Sequence, residues 1–448
     1  VSLRIVLVRH GLSSFNIERR IQGRDDLSTL SEEGIEQARG VGAALADLPL
    51  LAAYSSPLRR ARGTAEALLE SHGQGLQPIL DDGLLEIDLA PWSGLLQSEV
   101  RERHPEEESL WRHAPERLEL LRPDGSSYRP VPELIEQADR FVAALFDRHG
   151  DRLDAGAEAG TVLVVAHNGI LRCLLLSLLG LPASGFRRLR LDNASLSVLN
   201  VVRGPSGKPE TQIESLNTTA HLGRPLPPAG AGPRLLLVRH GETDWNREGR
   251  FQGQIDIPLN ERGLAQAEAA REFLAAVPIQ RAWSSVMARP RRTAEVILEA
   301  HPSVELATTE GLVEIGHGLW EGRLEREIAA EWPELLADWK AAPHTVQMPE
   351  GETIHEVWER SLASWLSIAA SLREGETGLV VAHDAVNKTI LCSLLGLGPA
   401  EIWAVKQGNG GVTVIDYPHG ADQVGVVSCL NLTHHLGGVL DRTAAGAL

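Results

Sequence analysis

An internal repeat constrains this chain more than anything else in it: Val8-Arg9-His10-Gly11 returns as Val238-Arg239-His240-Gly241 just past the middle. Each copy follows an apolar run, Ile5-Val6-Leu7 in one and Leu235-Leu236-Leu237 in the other, so each His closes an expected strand. A sequence that repeats itself at this scale builds the same domain twice. The 448 residues also exceed one ordinary core, because about 100 to 200 residues make a domain.

The correspondence runs well past the opening motif. His10 to His240 spans 230 residues, Glu86 to Glu314 spans 228, His167 to His383 spans 216, and Ser215 to Cys429 spans 214. The drop from 228 to 216 places 12 extra residues in the first copy, between its Glu and its second His, where a lid that differs between copies is expected. Each copy closes on a similar phrase, Ser215-Leu216-Asn217-Thr218-Thr219 against Cys429-Leu430-Asn431-Leu432-Thr433. The first domain therefore runs beyond Gly204-Pro205-Ser206-Gly207, and the expected organisation is domain 1–223, a Pro-, Ala- and Gly-rich linker 224–233, and domain 234–448.

Within copy one, Ile35, Ala38, Val41, Leu45 and Leu48 recur at helical spacing; an extended segment from Leu51 to Tyr54 and a helix from about Pro57 to Glu70 follow. Val162 to Val165 is wholly apolar and predicts a strand buried on both faces. Alternating strands and helices imply an α/β fold, each domain a mainly parallel sheet with helices on both faces. Ligands bind such sheets beyond the carboxyl ends of the strands, where His10 and His167 both lie.

Five elements recur in order. They are Arg-His-Gly with Asn16 or Asn246 beyond it; Ser55-Ser56 or Ser284-Ser285 leading to Arg60 or Arg289; Glu86 or Glu314 leading to Trp92 or Trp320; Val-Ala-His ending at His167 or His383; and a following Ser-Leu-Leu-Gly-Leu. Taken singly, each residue has a plainer reading: Arg60 and Arg289 as helix-surface charges beside Arg59, Arg62, Arg291 and Arg292, the second His as a packed strand-end residue, the Glu as a surface carboxylate. Joint recurrence in order favours a site. Two arginines, two histidines and one acid suit phosphoryl transfer from a monoester: the guanidinium forks match the dianion. A neutral imidazole attacks phosphorus, and a buried Glu protonates the leaving group. The scheme calls on no metal and no cofactor.

Leu237-Val238-Arg239-His240-Gly241-Glu242-Thr243-Asp244-Trp245-Asn246 resembles the histidine phosphatase superfamily, which includes the phosphoglycerate mutases, and the resemblance covers both halves. It implies two tandem phosphoglycerate mutase-like domains, with His10 and His240 as nucleophiles and Glu86 and Glu314 as proton donors. Arg9, Arg60, His167, Arg239, Arg289 and His383 would form the phosphate pockets, assisted by Asn16 and Asn246. The tandem arrangement is similar to cyanobacterial and plant proteins described as 2-carboxyarabinitol-1-phosphate and phosphoserine phosphatases. Copy one departs from the pattern at Leu12, where Glu or Gln is usual, and at Pro123-Asp124-Gly125-Ser126, which lacks the final Glu of Pro349-Glu350-Gly351-Glu352. Copy two departs at His383-Asp384-Ala385, against His167-Asn168-Gly169. With both acids kept, copy two is expected to be the more secure catalyst.

These readings converge on a metal-independent phosphomonoesterase acting on a sugar phosphate, a sugar-acid phosphate or phosphoserine. The alternatives are a cofactor-dependent mutase, or one catalytic domain joined to a phosphate sensor or dimerisation module; a homodimer is left open. Arg101, Arg103, His104, Arg112, His113, Arg117, Arg122 and Arg129 of the first lid offer a second anion site, but interleaved Glu residues favour a solvated face. Trp332, Trp339 and Trp358 are expected to pack. Gly204 to Lys208 lacks phosphate-loop spacing and no dinucleotide fingerprint follows a strand. A formal charge of −17 argues against nucleic acid as a partner, and no apolar run reaches membrane length. No leader is read before the first strand, with a segment trimmed from before Val1 left open. Cys173, Cys392 and Cys429 show no metal or redox spacing, so a reducing, cytoplasmic location is expected.

Overall fold

The structure is a computed structural model that describes residues 3–153, 159–204 and 207–443. Pro205 and Ser206 of the Gly/Pro stretch, and the extreme ends of the two expected domains, lie outside the described residues. The chain divides into two compact units, Val1–Arg224 and Pro225–Leu448, so the division falls at the start of the segment read as a linker. Among the described residues no helix is long and apolar enough to cross a membrane.

Unit 1 runs β1 (Leu3–Arg9), α1 (Ser14–Glu18), α2 (Glu32–Ala44), β2 (Ala52–Ser55), α3 (Arg59–His72), β3 (Ile79–Leu80), α4 (Gln97–Arg103), α5 (Pro105–His113), β4 (Leu120–Leu121), β5 (Ser127–Tyr128), α6 (Pro130–His149), β6 (Gly160–Ala166), α7 (Asn168–Leu179), β7 (Leu196–Arg203) and β8 (Pro209–Thr218). Its main sheet has the order β8-β7-β1-β6-β2-β3. β1, β6, β2 and β3 pair in parallel, in register Val6↔Leu163 and Ala53↔Leu163, while β7 and β8 close the other edge antiparallel. The sheet is thus parallel where the site lies and antiparallel at the flank. β6 is buried along its whole length, as its apolar run requires, because α2 pairs with α3 and α6 with α7 to cover the sheet.

Unit 2 repeats this: β9 (Arg234–Arg239), α8 (Asp244–Glu248), α9 (Glu261–Leu274), β10 (Arg281–Ser285), α10 (Ala288–Leu298), β11 (Leu306–Thr309), α11 (Glu325–Glu331), α12 (Pro333–Ala341), α13 (Ile354–Ser371), β12 (Thr377–Ala382), α14 (Asp384–Leu395), β13 (Val412–Asp416) and β14 (Val426–Leu432). The order β11-β10-β12-β9-β13-β14 matches that of unit 1 strand for strand. Leu236, Val238, Leu379, Val381, Val414 and Cys429 meet Ala270, Leu274, Ala294 and Ile297 in one core that fixes the strand ends. Trp339 is buried against Trp320 and Trp403, as packing predicts.

The Gly of each Arg-His-Gly is explained by a near-contact of two backbones. A Cβ on Gly11 would lie 2.4 Å from the carbonyl oxygen of Gly34 in α2, and one on Gly263 in α9 would lie 2.0 Å from that of Glu242. The loop after the first strand therefore sits directly on the first turn of the next helix. Ser31 and Asn260 cap those helices by accepting from the Gly34 and Gly263 amides at 3.0 and 2.8 Å. Because the clashing atoms are backbone, no rotamer relieves them. Gly263→Ala is expected to destabilise the protein by about 1–3 kcal/mol in denaturant titration, whereas Gly150→Ala, with nothing within 4 Å and right-handed backbone, is expected to cost much less.

Candidate active site

Both nucleophile candidates are placed by a continuation of the sheet. His10 and His240 donate their backbone N–H to Ala166 and Ala382, extending the β1–β6 and β9–β12 ladders by one residue, and both are nearly fully buried. Nδ1 of His10 lies 2.8 Å from the Gly11 carbonyl, and Nδ1 of His240 lies 2.7 Å from that of Gly241. A carbonyl only accepts, so Nδ1 carries the proton and Nε2 presents its lone pair. In unit 2 Arg289 Nε donates to His240 Nε2 at 3.3 Å.

Arg60 and Arg289 are held by backbone rather than by acids. Arg60 is completely buried and donates to the Asp25 and Gly23 carbonyls at 2.9 and 2.8 Å. Arg289 likewise donates to Ile255 and Gly253 at 3.3 and 2.8 Å. Among the described residues neither makes an ion pair, and Nε of Arg9, Arg60 and Arg239 has no partner. Arg9 and Arg239 are fixed through Leu191 and Gln407 at 2.7 and 2.5 Å. Burial brings Arg289 down to about 10, so it is still charged at neutral pH beside the imidazoles.

His167 and His383 cap α7 and α14, and their rings stand 5.2 Å from those of His10 and His240. His167 Nε2 lies 2.8 Å from Ser56 Oγ, whereas neither nitrogen of His383 has a partner among the described residues. Burial, with Arg60 and then Arg9 adding to it, holds His10 well below the usual imidazole value; burial, Arg289 and Arg239 do the same to His240. His167 and His383 are lowered in the same sense. All four are neutral near pH 7.

Each Glu rests on the helix that its second His caps. Glu86 accepts from Gly169 and Ile170 at 3.1 Å each; a Cβ on Gly169 would meet Glu86 Oε1 at 2.5 Å, a place that unit 2 gives to Ala385. Glu314 accepts from Asp384 at 3.0 Å and Ala385 at 3.2 Å. Its carboxyl is pushed up by burial and by Asp384, against the pull of Arg289, which favours a proton-carrying form. Ser13 and Thr243 cap α1 and α8, and Asn16 and Asn246 complete the capping boxes, their Oδ1 accepting from the Ser13 and Thr243 amides at 3.3 and 3.1 Å and from Asn193 and Asn409 Nδ2 at 3.1 and 3.3 Å.

The two acids that distinguish copy two lie in structural bonds. Glu242 accepts from Asn260 at 3.1 Å and pairs with Arg262; Glu352 accepts from Gly316 at 2.8 Å and pairs with Arg360. Several buttresses were not legible as site residues. Thr64 and Thr293 accept the Gly11 and Gly241 amides at 3.0 and 3.1 Å and donate to the Arg60 and Arg289 carbonyls. Gln37 and Gln266 accept the next amides, of Leu12 and Glu242. The signal was present in the repeat, since Thr follows each arginine four residues on.

A family model described as the histidine phosphatase superfamily (branch 1) matches residues 5–208 and again 235–429. The chain belongs to the histidine phosphatase superfamily. Among its relatives, a wheat (Triticum aestivum) 2-carboxy-D-arabinitol-1-phosphatase is 29% identical over 97% of this chain and 86% of its own length. A probable 2-carboxy-D-arabinitol-1-phosphatase of Arabidopsis thaliana is 30% identical over 97% and 88%. Phosphoserine phosphatase 1 of Hydrogenobacter thermophilus is 33% identical over 46% of this chain and 94% of its own. This histidine phosphatase thus shares its tandem length with the plant proteins and one unit with the bacterial one.

The neutral imidazoles have a thermodynamic signature. A histidine whose folded pKa lies below 6.5 takes up a proton only on unfolding, so stability is lost as pH falls through 6.5 toward the folded value. His383→Asn removes one such group. Between pH 7 and 5.5 the variant is expected to lose less unfolding free energy than the parent, by about 1 kcal/mol, in denaturant titrations at the two pH values.

Proposed function

We propose that this chain is a metal-independent phosphomonoesterase in which both units work on small phosphorylated metabolites, among them sugar phosphates, sugar-acid phosphates and phosphoserine. The observation that carries this reading is the tautomer of His10 and His240: with Nδ1 committed to a carbonyl, the lone pair of Nε2 belongs to the arginine side. Nε2 attacks phosphorus, the bond to the ester oxygen breaks, and Glu86 or Glu314 gives that oxygen its proton. Water then attacks the phosphohistidine and returns a proton to the same Glu, releasing phosphate and restoring the imidazole. Arg9 and Arg60, or Arg239 and Arg289, together with His167 or His383 and the amide of Asn16 or Asn246, hold the equatorial oxygens.

The names of the plant and bacterial relatives support a small phosphorylated substrate. Two working units are supported by the matching sets of groups and by Glu242 and Glu352 being engaged elsewhere. Cys173, Cys392 and Cys429, buried and outside any disulfide among the described residues, suit a reducing compartment, and we place the protein in the cytoplasm. The net charge of −17 keeps nucleic acid out of the proposed partners.

Phosphate release from phosphoserine, 3-phosphoglycerate, sugar phosphates and p-nitrophenyl phosphate, assayed without added metal or bisphosphoglycerate, tests this. His10→Ala and His240→Ala are each expected to abolish one unit's share, and the double variant to lose at least about 10³-fold in kcat. Parental turnover in the double variant would refute the scheme.

A further inference from the structure

The two units treat one buried cation next to the phosphate pocket in opposite ways. On α14, Lys388 Nζ lies 2.9 Å from Asp384 Oδ2 with both side chains buried, and Asp384 Oδ1 lies 3.7 Å from Arg239. One resident carboxylate thus serves two cations. The spacing that carries His167 to His383 also carries Arg172 to Lys388 and Asn168 to Asp384. Unit 1 keeps the cation and has a neutral amide where unit 2 has the acid.

Arg172 lies one helical turn beyond Asn168 on the same face of α7. It is 9% exposed, and its NH1 donates to the Phe186 carbonyl at 3.2 Å while the guanidinium stands 5.3 Å over the Phe186 ring. Its Nε has no partner, and it makes no ion pair among the described residues. Arg187 adds a second cation that makes no ion pair among the described residues, stacked 4.4 Å over Trp111 and donating to its carbonyl. Burial, with Arg187 and Arg9 close by, brings Arg172 down to about 9, so it is still charged at neutral pH. A buried guanidinium without an acid is costly to keep. The lid arginines differ: Arg101, Arg103, Arg112 and Arg122 are each paired with a Glu.

We propose that unit 1 takes a phosphomonoester bearing a carboxylate, which Arg172, seconded by Arg187, binds next to Arg9, while unit 2, with Asp384 in the equivalent place, takes esters without one. A carboxylate is the group named because a carboxylate fills that place in unit 2. The inference rests on the phosphomonoesterase reading and adds the recognition of the substrate's second charge.

The test uses the full chain with His240→Ala, which leaves unit 1 to act, and two matched pairs of esters. Phosphoserine and phosphoethanolamine differ by the carboxylate alone, and 3-phosphoglycerate and glycerol 3-phosphate differ by carboxylate against hydroxymethyl. In at least one pair kcat/KM is expected to favour the acid by about 30-fold or more. Arg172→Gln and Asn168→Asp should each pull that ratio toward one, mainly through KM, and Arg172→Lys should keep part of it. In the reciprocal chain with His10→Ala the ratio should sit near one, and Asp384→Asn should raise it. Being internal to each variant, the ratio is unaffected by partial misfolding. A ratio near one in the His240→Ala chain, or one that neither Arg172→Gln nor Asn168→Asp moves, overturns the inference even where p-nitrophenyl phosphate is turned over. Failure of the parent chain on every ester, p-nitrophenyl phosphate included, would overturn the phosphomonoesterase reading and this one with it.

Discussion

Each unit is organised around a guanidinium that it buries without neutralising. Arg60 and Arg289 have no exposed surface, are held by loop carbonyls, and meet no acid within ion-pair distance among the described residues. Removing such a charge from water costs several kcal/mol, so the groups around it must be arranged to tolerate it. Burial first, and the guanidinium after it, keep the neighbouring imidazoles neutral, which is the form a nucleophile needs. The carboxyl of Glu314 is raised despite Arg289, because burial and Asp384 outweigh that attraction. Burial thus shapes the reactivity of the imidazoles and of the acid alike.

The fold supplies the rigidity that this arrangement demands. Parallel strands deliver the two histidines of each unit side by side, since β1 pairs with β6 and β9 with β12 in unbroken register. The amides at the start of α7 and α14 then hold the catalytic candidates Glu86 and Glu314. Backbone approach at Gly11–Gly34 and Gly241–Gly263 leaves no slack between the nucleophile loop and its neighbouring helix. Thr64 and Thr293 tie that loop to the residue that carries the buried guanidinium.

Much of this was legible because the chain states it twice. The helices α2 and α3 and the strand β6 follow from apolar spacing, and the repeat alone named the groups that converge on each pocket. The antiparallel flank of β7 and β8 was not anticipated, because a strand's pairing direction leaves no mark on its own apolar pattern. Thr64, Gln37 and Asn193 escaped notice because a single polar residue in a helix or loop reveals its role only once another backbone packs on it. Charge misdirects in the other way. The arginines of α4 and α5 are conspicuous in sequence but are matched by glutamates, whereas Arg172, hidden in the apolar run of α7, meets none among the described residues.

In the proposed mechanism Nε2 of His10 and of His240 is the atom that bonds to phosphorus. Phosphorus NMR of enzyme trapped by rapid mixing with substrate separates Nε2- from Nδ1-phosphohistidine, and peptide mapping assigns the residue. Phosphorus on Nε2 of one or both of these histidines is the expected result. Phosphorus on Nδ1, on another residue, or on no residue during turnover would contradict the account.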